Sequence, residues 1–324
     1  AAGPTGEDTP HMTRYAISQA VSQVEAPRLL TGKARFTDDI TVARQAHAVF
    51  VRSPHAHADI VRLDKAAAAA MPGVIAVLTG EDYAADGIGD VPGTSPPKRR
   101  DGSPGYRPPR PALTRDRVRH VGQMVAVVIA ETIDQAKDAA EAMEIEFNPL
   151  PAQLDPIASN QPDAPRLWPD CADNEAFFVE KGDAAATEAA LAGAAYVIRD
   201  TFRVSRVTAN TMEPRAVVAE YDEGRGQFTV HACQQRPFTW RTMMTKHMFH
   251  VPENQMIVIA GDVGGSFGMK GGLYPEVPVI AWAAKRCGRP VKWVCERSEG
   301  HVADDQARDL VVEGELGLDA DGRF

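Results

Sequence analysis

Residues 47–63 alternate between apolar and polar, with a break at Ser53-Pro54, and predict a strand interrupted near its middle. The turn Pro72-Gly73 then leads into a second short strand over 74–79. Residues 87–111 carry glycine, proline and basic side chains without periodicity, which predicts a long surface loop. Residues 125–130 form an unbroken apolar run, the pattern of a strand covered on both faces. A helix follows over 132–143, opened by Thr132 with Gln135 three positions on, the pairing of a capping box. Residues 144–147 return as a strand. This first block, 28–147, is β-rich with one or two helices; residues 1–27 read as an N-terminal extension. Residues 148–166 hold five prolines and no period, and read as a linker between domains.

The second block covers 167–324. Asp183 is placed to cap an alanine-rich helix that runs to about Ala195, and 196–207 alternates as a strand. Two strands, 216–221 and 227–232, flank the hairpin signal Glu223-Gly224-Arg225-Gly226. Residues 239–250 predict a helix stopped before Pro252, and 256–260 a strand. A helix over 276–286 is closed by Gly288 and Pro290, with a strand over 291–297 behind it. Residues 310–318 alternate and are followed by the turn Asp321-Gly322, but no returning strand comes after it. A lone edge strand exposes unpaired backbone groups. The expectation is therefore that its partner is supplied by another polypeptide or has been removed with further chain. The whole pattern is α+β.

The charge balance narrows the classes of partner. Lys and Arg number 35 against 44 Asp and Glu, a net charge of −9, which disfavours nucleic acid and anionic membrane surfaces. No apolar run approaches the roughly 20 residues of a membrane span, and the richest stretch, 66–78, is broken by Pro72-Gly73. The polar, acidic start shows no signal peptide and reads as a ragged or processed end. Cys171, Cys233, Cys287 and Cys295 form no C-x-x-C pair, so they read as reduced thiols of a cytoplasmic protein with no metal centre held by side chains.

The strongest local signal is Gly264-Gly265-Ser266-Phe267-Gly268-Met269-Lys270. It is not a P-loop, because Met269 precedes the lysine and Gly271 follows it. It is not a dinucleotide fingerprint either, since Val263 stands where the first glycine is needed. What remains is a tight turn whose bare backbone lets N–H groups approach a ligand, or simply a tight turn.

That segment resembles the G-G-x-F-G-x-K signature of the xanthine-dehydrogenase-type molybdenum hydroxylases. Further segments resemble the same family: Leu30-Thr31-Gly32-Lys33 with Phe36-Thr37-Asp38-Asp39, Arg52-Ser53-Pro54-His55-Ala56-His57, Val121-Gly122-Gln123-Met124-Val125-Ala126, Asn210-Thr211-Met212-Glu213-Pro214-Arg215 and Gly288-Arg289-Pro290-Val291-Lys292-Trp293. The resemblance spans residues 28–324. It implies an N-terminal α/β hammerhead domain followed by the first, incomplete part of a molybdopterin-binding domain. It also implies a molybdenum–molybdopterin cofactor, with the cytosine dinucleotide form among the options, and hydroxylation of an aldehyde or N-heteroaromatic small molecule with water as the oxygen source. Electrons would leave through iron–sulfur and FAD groups on partner chains or domains, and the remaining molybdopterin-binding polypeptide would be a further partner. A carbon monoxide dehydrogenase-type subunit, or a non-catalytic scaffold with a degenerate cofactor site, are the alternatives.

The resemblance also assigns residues. Cys233-Gln234-Gln235-Arg236-Pro237 is similar to the family's T-Q-x-P segment, with Gln234 replacing the threonine. Gln235 is thereby placed to donate to a polar atom of the cofactor; an amide capping the strand end is the other reading. Gly264, Gly265, Ser266, Phe267 and Gly268 fall where the family brings main chain against the cofactor, although Phe267 suits core packing equally. Arg308, after Arg297-Ser298-Glu299, matches a substrate-orienting arginine, with a surface ion pair to Asp309 or Asp305 as the alternative. Purine-oxidising members carry a glutamate where Gly271 stands, which counts against a purine. The family's general base is a glutamate expected beyond Phe324, so neither Glu213 nor Glu276 is assigned that role. Lys270 is expected to pair with an acid and support the loop.

Overall fold

The computed structural model describes residues 21–171 and 173–324. The described residues divide into two units, with the boundary between Arg35 and Phe36. Of the first, the described part holds one short helix, α1 (Ala26–Leu30), with proline in its first turn, where the missing N–H costs nothing.

The second unit opens with β1 (Ala46–Arg52), β2 (Ala58–Asp64), α2 (Ala66–Ala69), β3 (Val74–Thr79), α3 (Gly80–Ala85), β4 (Arg117–Val118), β5 (Met124–Ala130), α4 (Ile133–Glu141) and β6 (Glu144–Pro149). It continues with α5 (Ala184–Gly193), β7 (Tyr196–Val204), β8 (Val207–Thr208), β9 (Ala216–Asp222), β10 (Gln227–Ala232), α6 (Pro237–Met243), β11 (Met256–Ile259), α7 (Glu276–Cys287), β12 (Val291–Val294), α8 (Arg297–Ala303), β13 (Gln306–Ala307) and β14 (Leu310–Leu318).

Local chemistry accounts for much of this. All seven residues of β5 are buried, as its continuous apolar sequence requires. Thr132 accepts from the Gln135 N–H at 3.3 Å and the Gln135 side chain accepts from the Thr132 N–H at 3.2 Å, closing the capping box of α4. The Asp183 carboxylate caps α5 through the Ala186 N–H at 2.9 Å. Helix α7 ends at Gly288 in the left-handed conformation, φ 61°.

The sequence blocks meet in one seven-stranded sheet of order β11-β10-β9-β12-β1-β5-β3. The junction is a short parallel pairing, Ala46↔Val291 and His47↔Lys292. Alternate residues of β1, Ala46, Ala48 and Phe50, face a single core that also holds Phe228, Trp240, Trp282 and Trp293. Phe50 meets Trp293 edge to face at 5.4 Å. A second sheet, β4-β2-β6, and two ribbons, β13-β8 and β14-β7, complete the described strands.

Several sequence expectations are corrected. The helix expected over 239–250 begins earlier, at Pro237, because proline suits a first turn; from Met244 it widens into π-type turns that His250, left-handed at φ 52°, terminates. The strand expected to reach 297 stops at Val294, since Glu296 and Glu299 form a capping box that starts α8. Residues 310–318 are not a lone strand: β14 pairs antiparallel with β7 from Leu310↔Val204 to Leu318↔Tyr196.

Candidate functional site

Sheet topology assembles the site. β10 and β11 are parallel, with His231 opposite Ile259, so both leave the sheet at the same end. Residues 233–236 emerge from one and residues 260–271 from the other. β9 runs antiparallel to β10 and enters there, bringing residues 211–215. β12 leaves there too, with Val294 opposite Ala216, and brings residues 295–308. Four distant segments therefore meet outside the carboxyl ends of a parallel pair, where open sheets commonly hold ligands.

The glycine-rich loop is clasped at both ends by one residue. The Glu213 N–H donates to the Gly264 carbonyl at 3.1 Å, and its carboxylate Oε2 accepts from the Gly264 N–H at 2.7 Å and from Lys270 Nζ at 2.9 Å. Lys270 Nζ donates again to the Glu213 carbonyl at 2.8 Å. Lys270 is fully buried, so its pairing with an acid, expected from the sequence, is obligatory. Within the turn, Ser266 accepts from the Lys270 N–H through Oγ at 3.2 Å and from the Met269 N–H through its carbonyl at 2.9 Å. Met269 itself is sunk in the core. Position 264 must be bare because a Cβ there would lie 2.5 Å from that of Glu213.

The outer face of the loop differs. Gly265, Phe267 and Gly268 all have left-handed backbones, with φ of 101°, 52° and 91°. Phe267 is 82% exposed, so it is not a core residue; its left-handed backbone turns the side chain outward. A Cβ on Gly268 would meet nothing, so internal packing does not explain the glycine. Gln235 stands beside this face. Its N–H donates to the Lys270 carbonyl at 3.1 Å, and its Oε1 is 3.3 Å from where a Cβ on Gly271 would sit. Its exposed side chain makes no hydrogen bond among the described residues. The amide that caps the strand end is instead Gln234, whose Oε1 accepts from the Arg236 N–H at 2.5 Å.

Arg308 is exposed, with φ 72°, next to Asp309 at φ 59°. Asp309 pairs with Arg206 at 2.5 Å, and among the described residues no ion pair joins Arg308 to Asp309 or to Asp305, the alternative reading of that arginine. The structure thus brings Gln235 against the loop and leaves Arg308 on the neighbouring segment, with no hydrogen bond or ion pair to either among the described residues.

Sequence reasoning missed the polar core behind the loop. Arg215, almost wholly buried, pairs with Glu276 at 2.9 Å and Asp304 at 2.6 Å. Glu276 also pairs with Arg52 of β1 at 2.8 Å, and Arg52 with Glu299 at 2.7 Å. Burial by itself would raise the Glu276 carboxyl, but the Arg215 and Arg52 charges outweigh it and hold it down to about 2. The Arg215 guanidinium lies 3.9 Å from the Tyr274 ring centre. An acid heading an apolar helix, as Glu276 heads α7, was the available signal.

These residues fit a bulky, flat cofactor lying on the loop. The outer backbone is bare and open, an unengaged amide stands at its side, and the opposite face is fixed by buried charge. Among the described residues no cluster of His, Cys, Asp or Glu is placed to hold a bare metal ion, and no helix is long and apolar enough to cross a membrane. All four cysteines are unpaired.

Comparison with known proteins identifies the domains that carry this site. A family model for the molybdopterin cofactor-binding domain matches residues 168–324, and one for the a/b hammerhead domain of aldehyde oxidase and xanthine dehydrogenase matches residues 31–151. The gamma subunit of the 6-hydroxypseudooxynicotine dehydrogenase complex of Paenarthrobacter nicotinovorans is 37% identical over 95% of this chain and 38% of its own. The carbon monoxide dehydrogenase large chain of Hydrogenophaga pseudoflava is 35% identical over 93% of this chain and 37% of its own. The crystal structure of quinoline 2-oxidoreductase from Pseudomonas putida 86 superposes with a TM-score of 0.85 at 34% identity, over 94% of this chain and 38% of that one. The chain thus spans well under half the length of these relatives. With a hammerhead domain followed by a molybdopterin cofactor-binding domain, the chain belongs to the xanthine dehydrogenase and aldehyde oxidase family of molybdenum hydroxylases.

Proposed function

We propose that this chain holds one side of the molybdenum–molybdopterin cofactor, in its plain or cytosine dinucleotide form, for an oxidoreductase acting on an N-heteroaromatic or aldehyde small molecule. When bound, that cofactor supplies the two-electron redox centre for hydroxylation with water as the oxygen source. The observation that carries the reading is the outer face at Gly265, Phe267 and Gly268, left-handed at all three, open at Gly268 and flanked by the free Gln235 amide. Backbone there can approach a ligand without a side chain intervening. Gln235 donates a hydrogen bond to a polar atom of the cofactor and orients it. Phe267 covers apolar surface and excludes water. Arg308 offers a fixed, always-charged fork to a substrate acquiring negative charge.

The remaining large-subunit polypeptide is proposed to supply the general base and the rest of the cofactor contacts. Iron–sulfur and flavin partners receive the electrons, and the unpaired cysteines suit a reducing, cytoplasmic setting. N-heteroaromatic substrates are favoured because similar proteins are named for quinoline and for nicotine. A carbon monoxide dehydrogenase is the second reading, favoured by the similarity to large chains of that name. The test is Gln235→Ala in the assembled complex, with molybdenum per protein and turnover of quinoline and of carbon monoxide measured together. A loss of turnover of about 100-fold is expected for one displaced hydrogen-bond donor. Unchanged turnover and unchanged metal would overturn the assignment.

A further inference from the structure

Behind the glycine loop, Tyr274 is 4% exposed and its hydroxyl makes two main-chain hydrogen bonds. It donates to the Met269 carbonyl, the buried anchor of the loop, at 3.1 Å. It accepts from the Asp305 N–H at 2.8 Å. A phenol has one donor and can accept at the same oxygen, so these two contacts use it as a bridge between segments otherwise far apart in sequence. Burial pushes the phenol up, so the proton stays on, and the Arg215 guanidinium stacked at 3.9 Å fixes the ring.

The segment on the other side of the bridge is strained and restrained. Arg308 and Asp309 are consecutive left-handed residues, neither of them glycine. Such a conformation persists only when its surroundings hold it. Asp309 is held by Arg206, residues 306 and 307 pair with 208 and 207 of β8, and Asp305 is held by Tyr274. A Cβ on Gly272 would lie only 3.3 Å from the Asp305 carboxylate, so the two segments touch. These restraints act on the residues either side of Arg308 and none on its own side chain, which is exposed.

We infer that Tyr274 is a positioning residue that fixes the Arg308 segment against the glycine loop, and so sets how a substrate held by Arg308 meets a cofactor held by the loop. The inference rests on the reading of the site given above for what Arg308 does, and on the two hydrogen bonds alone for the bridge.

The test uses the assembled complex as wild type, Tyr274→Phe, Arg308→Ala and the double variant, with thermal melting to verify folding. Amide hydrogen exchange reads the bridge independently of activity. Tyr274→Phe is expected to speed exchange at the Asp305 amide about tenfold while β5 stays unchanged. With quinoline as the probe, Tyr274→Phe is expected to raise KM about fivefold with kcat within about twofold, the pattern of lost substrate positioning. The double variant should then be no worse than Arg308→Ala alone. Unchanged exchange would overturn the bridge, and effects on KM that multiply in the double variant would overturn its action through Arg308. A wild-type complex without molybdenum would sink the functional reading instead, leaving exchange to decide the bridge.

Discussion

The loop over residues 264–270 and the β7–β14 ribbon are opposites. The ribbon is regular, with nine cross-strand pairs in unbroken register. Yet Tyr196, Ile198, Phe202 and Val204 on β7, with Leu310, Val312 and Leu316 on β14, are each between 39% and 59% exposed. The loop holds no strand and only a short 3-10 turn at Met269–Gly271, and three of its residues are left-handed. Yet its two ends are tied to a buried ion pair, and Met269 plugs it into the main core. Regularity of hydrogen bonding and firmness of placement are separate properties. The first comes from local backbone geometry, the second from what surrounds the side chains.

The comparison can be broken most sharply at Lys270. Lys270→Ala leaves the Glu213 carboxylate buried without its cation, and should cost about 3–5 kcal/mol in urea unfolding. A loss under about 1 kcal/mol would mean that the clasp does not brace the loop. The next effect lies in the charge network behind it. The folded Glu276 carboxyl titrates at about 2 against an ordinary 4.5, so its stabilisation is fully present above the ordinary value. It is lost as pH falls through that window toward the folded value. Wild type should lose about 2 kcal/mol more than Glu276→Gln between about pH 5 and about pH 3. Parallel pH profiles for the two proteins would contradict the network. The smallest effect belongs to the ribbon. Phe202→Ser should change the stability of this chain by less than about 0.5 kcal/mol, because an exposed ring has little burial to lose. A cost near that of a core phenylalanine would show that the face is covered.

Legibility followed the same division. The loop's glycine signature was visible in sequence, because a backbone that must stay bare leaves its mark in residue type, whereas Gln235 was singled out only by family resemblance. That Lys270 would need an acid was also legible, but not which acid: Glu213 lies 57 positions away in the chain. Phe267 could not be sorted between core and surface, since an aromatic beside glycines suits both until φ is known. Gln234 and Gln235 are adjacent amides, and only the chain's exit from β10 shows that the first caps the strand and the second faces the loop. Arg52, Arg215 and Tyr274 looked like ordinary residues within their strand, loop and helix approach.

Sequence alone determined most of the longer elements, the capped starts of α4 and α5 and the left-handed stop of α7, because each depends on residues within a few positions of one another; the family was legible from several such short motifs in order. The tertiary structure decided which elements are neighbours. The parallel exit of β10 and β11, the entry of β9 beside them and the departure of β12 gather four distant segments at one sheet end. Pairing of that kind is set by which apolar faces must share a core, and a burial requirement of the whole chain leaves no local trace.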